Sequence, residues 1–137
     1  MKNFIIIAGL IIYLMFFPVQ YVLNQQNHHD MMVAGEIVQK YAQTARTSGY
    51  FTVQLINGMR DELVSKLRLD PSEITINVTT VPKYRLDAFD EREMISYQVD
   101  IPIKRIMALN QLMGVPESEN HMIYTIKGEV ASEVPMP

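Results

Sequence analysis

The side chains that could do chemistry are few in this chain and poorly spaced for it. His28, His29 and Asp30 form its one metal-like cluster. On a helix, adjacent histidines point in different directions, and a helical zinc pair needs its second histidine at i+4, which is missing here. The remaining histidine, His121, stands alone where an apolar alternation begins. The cluster therefore reads as a solvated polar collar. Acidic residues gather at Asp90, Glu91 and Glu93 and again at Glu117 and Glu119. Neighbouring carboxylates can do acid–base work or bind cations. These lie in loop sequence without the regular ligand spacing of a calcium loop, and read as solvated. Ser48, Ser65, Ser72, Ser96, Ser118 and Ser132 have no nucleophile-elbow context. There is no G-x-x-x-x-G-K and no G-x-G-x-x-G to cradle a phosphate. Cysteine is absent, so no thiolate site and no disulfide can form. Asn77-Val78-Thr79 matches a glycosylation sequon but falls in a predicted strand. The expectation is a non-enzymatic chain with no cofactor and no metal.

Composition narrows the partners. The chain has 137 residues and a formal net charge of -3. Without a dense Lys/Arg cluster it has no basic face to neutralise phosphates, which argues against nucleic acid. Tryptophan is absent while methionine numbers 10, which suits adaptable packing.

The apolar residues are concentrated at the start. Phe4, Ile5, Ile6 and Ile7 open a run that continues through Ala8, Gly9, Leu10, Ile11, Ile12 and Leu14 to Phe16, Phe17, Pro18 and Val19. From Phe4 to Leu23 there is no charge, and Gln20 is the one strongly polar side chain. A bilayer span needs about 20 apolar residues, and these residues are the predicted surface for lipid contact and helix packing. Tyr21 near the outer end suits the headgroup region. Pro18 is a possible kink. A cleaved secretory signal would show small residues before the cut. A buried core helix is seldom apolar on every side. A membrane anchor is the preferred reading of the three. Lys2 and the α-amino group precede the run and the next cation is Lys40, so the positive-inside rule puts the N-terminus in the cytoplasm and the remainder outside.

Beyond the polar stretch Asn24–Asp30 the periodicity becomes amphipathic. Val33, Ala34, Ile37, Val38, Tyr41, Ala42 and Ala45 share one helical stripe, with Gly49 as the stop. Together these predict one long helix over 1–48, followed by a head domain over 49–137. A second helix is predicted over Thr52–Leu67, with Leu55, Ile56, Met59, Leu63 and Leu67 inward and Gly58 allowing close packing. Glu36 with Lys40, and Glu62 with Lys66, are placed as i,i+4 pairs. The period then drops to two, predicting strands over Glu73–Thr80, Met94–Ile103 and His121–Ala131. Pro102 marks an edge or a strand end. Val81–Glu93 is predicted as a charged loop, Arg105–Met113 as a short helix ended by Gly114 and Pro116, and Glu133–Pro137 as a frayed tail. The expected fold is α+β: a long N-terminal helix, a second helix, and a small, mainly antiparallel three-stranded sheet packed on them.

This layout resembles the type IV pilin superfamily, and in detail the TadE-like minor pilins and pseudopilins of tight-adherence pili. The resemblance is carried by the short basic start Met1-Lys2-Asn3, the immediate apolar run, and Ala34–Val78. Within the last, an Ala-rich amphipathic helix (AGEIVQKYAQTARTSGYFT) leads to a second helix (LINGMRDELVSKLRL) and the strand ITINV. Pilins are usually cut after a glycine, leaving a glutamate early in the mature chain. Here Gly9 lies inside the apolar run and the first glutamate is Glu36, so that processing is not carried over. The resemblance implies a pilin-like subunit of a surface filament or secretion-type apparatus. Its partners would be membrane lipid, other pilin-like subunits or a membrane assembly platform, in a homo- or hetero-oligomer. Two alternatives stay open. One is an anchored extracytoplasmic accessory of a conjugation or transport complex, and the other a tethered enzyme or small-ligand sensor.

Overall fold

The computed structural model describes residues 1–87 and 90–137. Helix α1 runs without interruption through Lys2–Ser48, across Pro18 and across the polar collar. It stops where Gly49 takes φ +80°, a left-handed backbone that favours glycine. Helix α2 spans Val53–Leu67. Thr52 caps it, its hydroxyl accepting the Leu55 N–H at 3.2 Å. Strands β1 (Thr75–Val78), β2 (Met94–Ile103) and β3 (Met122–Ala131) form one antiparallel sheet in the order β1-β2-β3.

Contacts group the chain into two units. The larger holds Met31–Pro102 and Ile123–Pro137. Its core joins Ala34, Ile37, Val38, Ala42 and Ala45 of α1 to Phe51, to Met59 and Leu63 of α2, and to Ile74, Ile95, Val99 and Ile101. Both predicted stripes therefore face inward, as does the alternation along β2. Alanine at three of the five buried α1 positions keeps that face of the helix low. Gly58 does the same on α2: a Cβ there would lie 3.1 Å from the Tyr41 hydroxyl. Because the two helices approach so closely, Lys40 does not turn to Glu36 on its own helix, and the predicted i,i+4 pairing is corrected. Lys40 Nζ donates across to Glu62 of α2. That hydrogen bond holds the Glu62 carboxyl below its usual range. Burial, followed by the same carboxylate, pushes the Tyr41 hydroxyl up.

β1 is shorter than predicted. Asp70 accepts the Ser72 N–H at 2.9 Å while Glu73 accepts the Asp70 N–H at 3.0 Å, and this reciprocal cap closes a 3-10 turn over Pro71–Glu73 before the strand can start. Pairing begins at Thr75↔Asp100, so Pro102 lies past the end of β1 in the central strand; it marks a strand end, not an edge. Two further expectations are overturned. Glu93 is buried rather than solvated: its carboxylate accepts the Leu86 N–H at 2.8 Å and its carbonyl accepts the Ser132 N–H at 2.9 Å. The C-terminal tail is pinned rather than frayed, since Arg85 bridges to Pro135 and the Arg46 carbonyl accepts the Glu133 N–H at 2.9 Å. Of the predicted charged loop, Ala88 and Phe89 lie outside the described residues.

Gly49 is closed in as well as left-handed. A Cβ there would sit 2.7 Å from the Lys83 carbonyl oxygen and 3.1 Å from Val134. Gly114, with φ +76°, would place its Cβ in open space. Gly114→Ala is thus expected to cost only the conformational penalty of about 1–2 kcal/mol. Gly49→Ala adds a backbone clash to that penalty and should lose clearly more in a denaturant titration. Equal losses would mean that the carbonyl yields without cost.

Candidate functional site at the apolar helix

The smaller unit holds Met1–Asp30 and Ile103–Met122. Its helical part contains every residue predicted for lipid contact and helix packing. Phe4, Ile5, Ile6, Ile7, Leu10, Ile11, Ile12, Leu14, Phe17 and Val19 are all exposed, as are Gly9 and Pro18. Ala8 and Phe16 are half-buried. The segment is long and apolar enough to cross a membrane, and none of its most apolar stretch is buried within the chain. At about 1.5 Å per residue, Phe4–Leu23 spans roughly 30 Å, the thickness of a hydrocarbon core. Leaving so much apolar surface bare in water costs about 25 cal/mol per Å². The helix must therefore find lipid or another apolar surface.

Partial cover follows one stripe. Phe16, Gln20, Leu23 and Asn27 are half-buried, at a spacing of four, three and four that keeps them on one face, and their neighbours between Tyr13 and His29 are exposed. The cover is tied on by polar groups. Gln20 Nε2 donates to the Ile106 carbonyl at 2.9 Å and to Asn24 Oδ1 at 2.8 Å, while its Oε1 accepts the Ala108 N–H at 2.8 Å. Asn27 Nδ2 donates to the Arg105 carbonyl at 2.7 Å. The one strongly polar residue of the apolar run thus has each end of its amide satisfied.

No family model, curated protein or solved structure matches this chain.

The covering segment is not the helix predicted for Arg105–Met113. It is a series of turns, because Leu109 takes φ +53° and breaks any helical run. Two asparagines organise it. Asn120, fully buried, accepts the Ile106 and Met107 N–H groups at 3.2 and 2.8 Å and returns its amide to the Met107 carbonyl at 3.0 Å. Asn110 donates to the Val115 carbonyl at 2.9 Å and to Glu117 at 3.2 Å. Gly114 ends the turns with its positive φ. Gln20, Asn27, Asn110 and Asn120 are the residues that sequence reasoning missed. The only hint was a glutamine standing alone among apolar neighbours.

His28 and His29 are exposed on α1. Among the described residues, no group of three or more His, Asp or Glu is placed to hold a metal ion. A depression of about 690 Å³ lies at the sheet, lined in part by Ser96, Thr79, Lys127 and Glu129. There the Ser96 hydroxyl lies 3.0 Å from that of Thr79, a partner too weakly basic to activate it.

Proposed function

We propose that this chain is a non-enzymatic, pilin-like subunit of the TadE-like kind, anchored by its apolar helix with the N-terminus in the cytoplasm and the head outside. It would act by assembly into a surface filament or secretion-type apparatus. The observation that carries this reading is the division of labour along α1. From Ala34 to Ala45 one face of the helix is built into the core of the head, while from Phe4 to Val19 it is almost bare. A rod rooted in a folded head and apolar over its free half has to exchange lipid for protein if subunits are drawn together. Ala8 and Gly9 offer backbone approach in such a contact, as small residues do between membrane helices.

A second reading is favoured by the placement of acidic residues. None precedes Asp30, so the apolar run lacks the glutamate that pilins carry early in the mature chain. On that reading the protein is a permanently anchored accessory of a conjugation or transport complex, and it would be recovered with a multi-pass partner.

Because the chain has no cysteine, Ala8→Cys and Gly9→Cys variants report on helix neighbours without background. Oxidation in native membranes and in sheared surface filaments is expected to give cross-linked subunits in both fractions. Deletion of the protein should alter the filaments seen by electron microscopy. Monomer alone, with filaments unchanged, would overturn the proposal.

A further inference from the structure

The turns that cover α1 have their polarity inside out. Surface loops ordinarily turn amides to water and apolar groups inward. Here Asn110 and Asn120 are buried, at 7% and 0% exposure, while Leu109, Leu112 and Met113 are 42%, 63% and 60% exposed. From Ile106 to Pro116 there is no charge; the charges stand at the neck, where Arg105 faces Glu117 at 4.0 Å. Buried Asn120 takes up the N–H groups of Ile106 and Met107, and Gln20 that of Ala108. Turns further along hold those of Met113, Gly114 and Val115. Six backbone N–H groups are thus taken up from within. They lie beneath an outer surface where Leu109, Leu112 and Met113 outnumber the one exposed amide, Gln111, which favours entry into a medium poor in hydrogen-bond partners.

Its depth can be read from the hydrogen bonds. The segment meets α1 first at Asn27, through Arg105, and then at Gln20, through Ile106 and Ala108. That is a descent of about 10 Å along the helix toward its apolar end. Gln20 already belongs to the charge-free run, and Phe16, one turn further down, is half-covered too. Leu109, Leu112 and Met113 follow the lowest of these attachments in sequence.

We propose that Ile106–Met113 is a second membrane contact: a loop that seats Leu109, Leu112 and Met113 among lipid chains at the headgroup boundary, strapped to the anchor through Gln20. This rests on the reading of the apolar helix as an anchor. The loop fixes how deep the chain sits, and it covers Gln20, which would otherwise carry its amide oxygen unpaired into lipid. Lipid is the occupant because the attachment runs down the surface that the anchor itself presents to lipid.

Single cysteines at Leu112, at Leu10 in the anchor and at Arg60 on the head test this in the full chain. Each variant is labelled with a nitrobenzoxadiazole dye and reconstituted into phosphatidylethanolamine–phosphatidylglycerol vesicles. The Leu112→Cys label is expected to resist aqueous iodide several-fold better than the Arg60→Cys label. It should also be quenched most by lipids carrying a doxyl group near the headgroup. Iodide access equal to that at Arg60, with the Leu10→Cys label still in lipid, overturns the loop and leaves the anchor standing. A Leu112→Cys label shielded from both quenchers means that protein covers it, which also overturns the proposal. An aqueous Leu10→Cys label would instead remove the anchor. Gln20→Leu should raise iodide access at Leu112→Cys while leaving the Leu10→Cys label unchanged.

Discussion

Arginine at both Ile11 and Leu14 is expected to release the full chain from membranes. The two residues lie near the middle of Phe4–Leu23 and are 55% and 57% exposed, so neither supports the folded head. At the centre of a membrane helix an arginine costs about 2.5–3.5 kcal/mol on insertion scales, so the pair costs about 5–7 kcal/mol. That is a change of roughly four to five decades in partitioning, less whatever the long side chains recover by reaching toward the interface. Alkaline carbonate extraction measures it directly. Wild type and an Ile11→Ala, Leu14→Ala control should stay in the pellet, while the arginine pair moves to the supernatant or aggregates. The circular dichroism of the head should not change, because its core is drawn from Ala34 onward. If the arginine pair remained carbonate-resistant with its head intact, the apolar run would have some fate other than lipid.

The arginine variant depends on the part of the molecule that was easiest to foresee. An uncharged apolar run, a helical stripe from Val33 to Ala45 and a two-residue alternation along β2 are local patterns, and burial follows local pattern when one face of an element meets the core. β2 came out at its predicted bounds, Met94–Ile103, because Ile95, Val99 and Ile101 all needed the same side. The misses share a different cause. Ile106, Leu109 and Met113 recur at helical spacing, yet the positions buried around them are Ala108, Asn110 and Asn120, which no single stripe connects. Glu93 looked solvated because its neighbours are charged; its partners, Leu86 and Ser132, come from elsewhere in the chain. Gln20 was visible as an oddity, but the groups that satisfy it lie more than eighty residues away. Periodicity reports which face of an element is wet. It carries no information about a polar side chain whose partner is distant, and the candidate site is built largely from such side chains.

The same distinction explains why one residue outside any element should matter most to the head. Phe51 lies in the short link between α1 and α2, where sequence patterning assigns nothing, yet it is 1% exposed and heads the fully buried side chains by volume. Its N–H donates to the Thr79 carbonyl at 2.9 Å just past β1, so the link is held to the sheet by backbone as well as side chain. Its ring meets that of Tyr97 edge-on, at 6.4 Å between centroids. Tyr97 in turn lies across Gly128 of β3, where a Cβ would come within 2.7 Å of the Tyr97 ring carbon Cζ. Phe51, Tyr97 and Gly128 thus form a stack running from the helix link across β2 to β3. Removing the first member leaves a void beside a link whose backbone is pinned, the Gly49 carbonyl accepting the Lys83 N–H at 2.9 Å. Phe51→Ala is expected to cost about 3–5 kcal/mol, the range for a buried phenylalanine. In a domain of this size that amounts to a fall of roughly 15 °C or more in melting temperature. Phe51→Leu keeps most of the volume and should lose less than half as much. Thermal melts in detergent, followed by the near-ultraviolet signal of the tyrosines, would measure both. A Phe51→Ala loss below about 1 kcal/mol, the level of an ordinary surface substitution, would mean that the link is not packed as described. The helix would then be rooted in the head by its own contacts, the stripe from Ala34 to Ala45 and the Lys40–Glu62 bond.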